Sequence, residues 1–241
     1  MKKRILTVAL VVALLATCFG GTLAYLKDSE AQTNTFTTGN VLISLDEVEV
    51  VRDETTGNLV AKKDEQGEEI RTTEDQEYKL FPAMTVTKDP TITVDAESEN
   101  AWVAAKVIIS GAALYDLIPM DGSADLININ AVASGGLLSQ SAEPGNYNGL
   151  TVFQNDNYAV YQVAEGNNTW TLYIFMKAEQ VAKAEIVLFD TLTIPAGWDN
   201  KEMALINGMN IDVQAFAVQV NGFANCYDAM TTAFDGEFDF S

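Results

Sequence analysis

The chain contains many short runs in which apolar and polar residues alternate, and this two-residue period constrains the fold more than any other feature. The clearest run is 169–176, where Trp170, Leu172, Ile174 and Met176 would share one face of an extended strand. Alternation of this kind, with β-branched and aromatic residues, is typical of strands that bury one face. Further runs that predict strands lie at 101–109, 157–163, 185–194 and 209–220.

The first predicted strand begins near residue 39 and changes its buried face part-way. Ile43 and Leu45 share one parity, whereas Val48 and Val50 have the other. Because side chains alternate strictly along a strand, the pleat register must switch between Leu45 and Val48, at a bulge or at a strand end.

A hairpin is predicted around the Thr-Thr-Gly-Asn segment at 55–58, since turn residues there separate two short apolar runs. In that hairpin Glu47 and Glu49 would be able to face Lys62 and Lys63. Opposite charges across a strand pair support the pairing.

Helical patterns are few and short, at 180–183, 200–206 and 224–234. The stretch 111–151, rich in Gly, Asn and Ser, is predicted to form loops and a short helix. With eight or more strands and little helix, the sequence predicts an all-β fold: an antiparallel β-sandwich, jelly-roll-like, with a few short helices.

The N-terminal residues predict an export signal. A basic start at 2–4 precedes an apolar run at 5–18, and these 14 residues are fewer than the roughly 18 to 20 that a membrane span needs. Small residues follow, so we expect cleavage after Ala24, with Thr22 as the other small residue and Tyr25 as the new N terminus.

Two alternatives to this cleavable signal are an uncleaved signal anchor and a lipoprotein signal ending at Cys18. Thr17 is a poor residue before a lipidated cysteine, and Gly20 would break a spanning helix. The favoured division is therefore a signal peptide at 1–24, an extended N-terminal arm at 25–38 and a single β-sandwich domain at 39–241, with no stable membrane anchor.

Charge and cysteine content limit the partners and the compartment. Residues 1–24 hold three of the 14 basic residues and none of the 34 acidic ones, so the mature chain carries a net charge of −23. Such a chain is repelled by nucleic acid and by anionic lipid. Cys18 would leave with the signal, so Cys226 is the sole cysteine of the mature chain and no intrachain disulfide is expected.

The chain has no histidine, which removes Ser-His-Asp and Cys-His catalysis and His-containing zinc motifs. It also has no Ser-x-x-Lys and no Gly-Lys pair, which disfavours acyl transfer by that route and phosphate loops. Calcium ligands are conceivable at 121–125 and 235–239, but neither segment matches the twelve-residue calcium loop. The sequence thus predicts a protein that is not an enzyme and that needs no cofactor.

Four segments resemble one known family. They are 21–30 (GTLAYLKDSE), 33–41 (TNTFTTGNV), 81–90 (FPAMTVTKDP) and 215–223 (AFAVQVNGF). Together they resemble the TasA and camelysin (CalY) family of Gram-positive biofilm matrix proteins, which are processed by a SipW-type signal peptidase. The resemblance implies a jelly-roll domain, secretion to the extracellular matrix or cell surface, and polymerisation into fibres with itself and with sibling matrix proteins.

The same resemblance implies how the subunits join. The N-terminal segment of one subunit would pair as a strand with the next subunit. In this sequence the assembly strand would be formed by Thr33, Asn34, Thr35, Phe36, Thr37 and Thr38.

Two other functions compete with the fibre subunit. The chain could be a monomeric surface or matrix adhesin that uses the loops at 111–150 and Trp198, whose indole could stack on a sugar. It could also be a metalloprotease, as camelysin-like members have been described, but its metal would then have to be held by carboxylates alone.

Overall fold

Strands are the main regular secondary structure of the protein in a computed structural model, which describes residues 40–111, 133–166, 168–238 and 240. The strands, in chain order, are β1 (Ile43–Val48), β2 (Val50–Arg52), β3 (Leu59–Ala61), β4 (Arg71–Thr72), β5 (Thr85–Thr87), β6 (Thr91–Val94), β7 (Ala101–Ser110), β8 (Ala133–Ser134), β9 (Glu143–Tyr147), β10 (Leu150–Gln154), β11 (Tyr158–Gly166), β12 (Thr169–Met176), β13 (Glu185–Val187), β14 (Thr191–Thr193) and β15 (Asn210–Gln219). The helical elements are a 3-10 turn (Leu137–Ser139), α1 (Asn200–Leu205) and α2 (Cys226–Ala233).

These strands form three sheets. The largest has six strands in the order β15-β7-β12-β11-β10-β9, all antiparallel to their neighbours. The others are a four-stranded sheet, β13-β6-β1-β4, and a five-stranded sheet, β2-β3-β5-β14-β8, in which β3 and β5 run parallel. The predicted all-β sandwich is confirmed.

The main core lies between the six-stranded sheet and the two smaller sheets. On β7 the odd-numbered side chains, such as Val103 and Val107, are completely buried and pack in the same core as Ile92 from β6 and Val86 from β5. Each such side chain contributes about 1.5–3 kcal/mol when it is buried. The buried side chains of this alternating pattern therefore form the contact between the sheets.

A second core covers the outer face of the six-stranded sheet. Phe175 from β12 packs there against Met230 of α2 and against Phe238. Cys226, at the start of α2, is buried as well, and its thiol donates to the Val103 carbonyl oxygen at 3.2 Å. Strands β7 and β12 are consequently covered on both faces, which explains their nearly continuous apolar sequences.

Several predicted elements have the expected bounds. Strand β12 coincides with the run at 169–176, and β7, β11 and β15 begin or end within a few residues of their predicted limits. The hairpin is present as β2 and β3, with Val51 opposite Val60. Strand β1 changes its pairing partner from β6 to β4 between Asp46 and Glu47, which is where the parity of the apolar residues switches.

Two local predictions were wrong, and a third was right only in part. Residues 180–183 form no helix, because Gln180 makes a β-bridge with Ala101. The run at 185–194 is divided between β13 and β14, which belong to different sheets. The segment at 111–151 contains a short helical element, the 3-10 turn Leu137–Ser139, as predicted, but it also contains β9 and the start of β10. Residues 112–132 lie outside the described part. Pro144 and Gly145 hid β9 in the sequence, and an edge strand tolerates both.

The predicted charge pairs of the hairpin were half right. Lys62 pairs with Glu49 across the strands, as expected. Glu47 instead pairs with Lys88, a residue 41 positions away that no local pattern connects to it.

Candidate functional site

Six strands form the edges of the three sheets, and the longest of them, β15, packs close to β1 without pairing with it. Strands β4 and β8 have two residues each, and β2 and β13 have three. Strand β9 contains Pro144 and Gly145, which weaken further pairing. Strand β15 has ten residues with neither Pro nor Gly. An edge strand of this length is a ready template for another strand.

The hydrogen-bond pattern shows which backbone groups of β15 face away from β7. The Val220 N–H donates to the Asn100 carbonyl oxygen at 3.3 Å, one residue beyond the pair formed by Gln219 and Ala101. Because bonded and non-bonded pairs alternate along an antiparallel ladder, the even-numbered residues of β15 bond β7. The odd-numbered residues direct their N–H and C=O groups outward, where no strand of the described part pairs with them.

The same odd-numbered residues carry the inward apolar side chains. Ile211, Val213 and Ala215 are partly buried against the main core, whereas Val107 and Ala105, their counterparts on β7, are completely buried. The edge therefore offers unpaired backbone groups and incompletely covered apolar side chains together. A strand added here would satisfy the first and bury the second.

A groove runs beside the first half of β15. Its wide part encloses about 510 Å3, and its narrow part encloses about 120 Å3. Lys88 and Ile211 line both parts, so the two lie next to each other. The wide part has a mixed lining, with apolar side chains from Leu80, Leu192, Met203, Ile206 and Met209 and polar ones from Gln76, Lys88 and Asn210.

Helix α1 holds one wall of the wide part. The Asp199 carboxylate accepts the Lys201 N–H at 2.7 Å, while the Asp199 N–H donates to the Glu202 carboxylate at 3.0 Å. This reciprocal pair is a capping box, which starts the helix at a fixed residue. The Lys201 N–H also lowers the pKa of Asp199. The cap fixes Met203 and Ile206 at the groove.

A polar network forms the floor of the groove. Lys88 pairs with Glu47, which also accepts from the Gln76 amide at 3.0 Å and from the Tyr78 hydroxyl at 3.4 Å. The side-chain oxygen of Gln76 accepts the Val50 N–H at 3.0 Å, and its amide nitrogen donates to the Val48 carbonyl oxygen at 2.8 Å. These bonds hold the segment after β4 against β1 and β2. Burial, and then the charge of Glu47, raises the pKa of Tyr78.

A second set of ion pairs lies beside the narrow part. Arg71 donates to Asp46 at 2.7 Å and to Asp89 at 2.6 Å. Asp89 also accepts the Val48 N–H at 2.7 Å. These carboxylates are thereby occupied with structural partners.

The residues present do not suit a zinc site. The sequence has no histidine, and the described residues contain no group of three or more Cys, Asp and Glu that could hold a metal ion. Cys226 is buried, and desolvation raises the pKa of its thiol, so the thiolate that zinc prefers is disfavoured. The donor set thus offers no support for metal-dependent proteolysis, and the prediction that the chain is not an enzyme stays a prediction.

The chain enters the described domain at the far end of β15. The Asn40 carbonyl oxygen accepts the Glu99 N–H at 3.0 Å, and the neighbouring Asn100 accepts from Val220. Leu42 is held in the same region, since its N–H donates to Ser98 Oγ at 3.1 Å. Asn40, the first described residue, therefore lies near the last residues of the edge, and the wide part of the groove lies beside the first residues.

Most residues singled out from the sequence lie outside the described residues. This holds for the cleavage residues Thr22, Ala24 and Tyr25 and for the assembly strand, Thr33, Asn34, Thr35, Phe36, Thr37 and Thr38. The possible calcium segment 121–125 also lies outside. Trp198 is described, and it packs partly buried against the main core.

The groove itself was not found from the sequence. The strand at 209–220 was predicted, but nothing local marks it as an edge. Gln76, Tyr78 and Lys88 were not singled out either, because their partners lie in distant parts of the chain.

The fold and the groove define a β-sandwich protein with an open edge strand. The family model described as camelysin metallo-endopeptidase matches residues 1–69 of the chain. The resemblance to the TasA and camelysin family is thereby confirmed at the level of the family over that part, which includes β1 to β3. No curated protein and no solved structure matches the chain. Within the described residues, no helix is long and apolar enough to span a membrane.

Proposed function

We propose that the chain is a secreted structural protein, a subunit of extracellular biofilm-matrix fibres that assemble by exchange of N-terminal strands. In this proposal a SipW-type signal peptidase removes residues 1–24, and the arm at 25–38 then adds to the edge of β15 on the next subunit. Sibling matrix proteins could join the same fibre. The product is found in the matrix or on the cell surface.

Two positions on the domain support this proposal: the point where the arm, as the donor strand, would leave it, and the groove beside β15, as the acceptor site. The arm joins the domain at Asn40, beside Val220, whereas the groove opens beside Met209. The ten residues of β15 separate these points by about 30 Å at roughly 3.4 Å per residue. A donor at one end and an acceptor at the other make a heterologous contact, which propagates into an open chain of subunits instead of closing into a dimer.

Deletion of the arm tests the proposal. The mature protein without residues 25–38 should keep the circular dichroism spectrum and the urea midpoint of the mature chain, yet form no filaments by electron microscopy or sedimentation. Unchanged filaments would refute strand exchange.

A proline on the acceptor edge tests the other partner of the contact. Ala215 directs its N–H away from β7, so Ala215→Pro removes an outward donor without removing a bond to β7. We expect this variant to fold and to lose assembly. Ala215→Val is the matched control, because it keeps the amide and adds comparable bulk, and it should assemble.

A metallo-endopeptidase is the second candidate, and the description of the matching family favours it. It requires a metal held without histidine. Stoichiometric zinc in the purified mature protein, together with proteolysis that a chelator abolishes, would establish it. We expect neither.

A further inference from the structure

The wide part of the groove has the character of a socket for one large apolar side chain. Apolar side chains, among them Leu192, Met203 and Ile206, line it together with polar ones such as Gln76 and Lys88. It lies at the first residues of β15, and the incompletely covered Ile211 forms part of it. We propose that this socket takes the phenyl ring of Phe36 from the arm of a second copy. The inference rests on the strand exchange proposed above and names the contact that sets its register and specificity.

The arm at 25–38 has three large apolar or aromatic residues, Tyr25, Leu26 and Phe36. Tyr25 and Leu26 precede Phe36 by ten or more residues, about 34 Å in an extended strand, so with Phe36 at the wide part they would lie at the other end of the β15 edge. Phe36 is the sole large apolar residue between positions 27 and 38, where the rest are Lys, Asp, Glu, Gln, Asn, Ser, Thr and Ala. An isolated phenylalanine in a polar segment is costly to leave in water, and its burial is worth about 1.5–3 kcal/mol.

The distance along the chain requires that the ring come from another copy. Phe36 is four residues from Asn40, so it can lie at most about 14 Å from that residue at roughly 3.6 Å per residue. The socket lies about 30 Å from the Asn40 end, beyond nine or ten residues of β15. A chain therefore cannot fill its own socket.

The two parts of the groove match the order of side chains in the arm. An arm that enters at the wide end lies antiparallel to β15, so Phe36 comes first, and Asn34, two residues on, points to the same face. The narrow part reached next is polar, with Asp46, Lys88 and Asp212 among its lining residues. The amide of Asn34 suits that surface. The opposite parity would put threonine hydroxyls against the apolar side chains of the wide part and leave the phenyl ring outside.

The critical concentration for polymerisation of the mature protein measures this contact. Phe36→Ala should raise it about 30-fold or more, which is the affinity equivalent of losing a buried aromatic side chain. Phe36→Leu should raise it about threefold or less, because the apolar bulk is largely kept. Thr35→Ala, on the opposite face of the arm, is the matched control and should change it by less than about twofold.

Cross-linking locates the ring directly. In polymers of the Phe36→Cys and Met203→Cys double variant, oxidation should yield a ladder of covalent oligomers on denaturing gels. In the control, Val181→Cys replaces Met203→Cys; Val181 is exposed and follows Gln180, which bridges to Ala101 at the other end of the edge. That pair should give no ladder, and the native Cys226 is buried.

The outcomes separate this inference from the proposed function. If arm deletion abolishes filaments while Phe36→Ala assembles at the concentration of the mature chain and no ladder forms, the socket is wrong and strand exchange stands. If arm deletion leaves filaments intact, both fail together. A loss with Phe36→Ala, a rescue with Phe36→Leu and a ladder at Met203 support the socket.

Discussion

Lys88 and Glu47 form an ion pair that is almost completely withdrawn from water, with side-chain exposures of 10% and 14%. The pair joins the segment before β6 to the end of β1 beneath the groove. Tyr78 adds its ring to the site, since the Lys88 ammonium lies 5.6 Å from the ring centroid. The floor of the proposed acceptor site thus depends on two opposite charges that must both be present.

Breaking this pair should destabilise the fold strongly. Glu47→Ala leaves the Lys88 ammonium buried without its counter-charge, and we expect a loss of about 3 kcal/mol in the free energy of unfolding, measured by urea titration. Glu49→Ala is the matched control, because its pair with Lys62 is exposed by 37% and 43% and should be worth about 1 kcal/mol or less. Equal losses in the two variants would contradict the burial argument.

The thiol of Cys226 should be unreactive in the folded protein. It is completely buried, and desolvation raises its pKa, so little thiolate forms near pH 8. We expect no reaction with a chromogenic disulfide reagent until urea unfolds the chain, after which one equivalent should react in the mature protein. Rapid reaction without denaturant would show that α2 opens readily.

Alkaline conditions should destabilise the domain partly through Tyr147. Burial raises the pKa of this tyrosine from its ordinary value of 10.0 to about 12. The unfolded chain therefore ionises first, so the stabilisation is complete below about pH 10 and is lost as the pH rises toward 12. The urea midpoint should fall over this range, and it should fall less in Tyr147→Phe. An identical fall in the two proteins would exclude Tyr147 as a cause.

The C-terminal segment should contribute substantially to stability through Phe238. This side chain is 2% exposed, and its ring contacts that of Phe216 edge-on at 4.9 Å. Phe238→Ala should cost about 3–5 kcal/mol, measured as a shift of the urea midpoint. Phe81→Ala is the control, since Phe81 is 43% exposed. A small effect at Phe238 would mean that the outer face of the six-stranded sheet does not need its cover.

The strand pattern of the central sheet could be predicted because it is a local property. Alternating side chains at 169–176 identify β12 wherever it lies in the fold, and two-face burial makes β7 almost entirely apolar. Strand β9 could not be found in this way, because Pro144 and Gly145 are turn signals unless the strand is at an edge.

The groove is a different case, since its walls come from separate parts of the chain. Lys88, Tyr78 and Met203 meet beside β15 through pairings that span tens of residues. A charged residue such as Glu47 has several possible lysine partners in the sequence, and the structure selects Lys88 over the nearer Lys63. Long-range contacts of this kind leave no periodic signal.

The sequence by itself determined the class of fold, since a two-residue period decides which side chains can be buried together. It also determined the family resemblance at the N terminus, which the family match to residues 1–69 confirms. The tertiary structure alone decided that β15 is an edge, because β15 pairs with β7 across about a hundred residues of chain. A strand is an edge when no other strand pairs with one of its sides, and this depends on the positions of all the other strands in the fold.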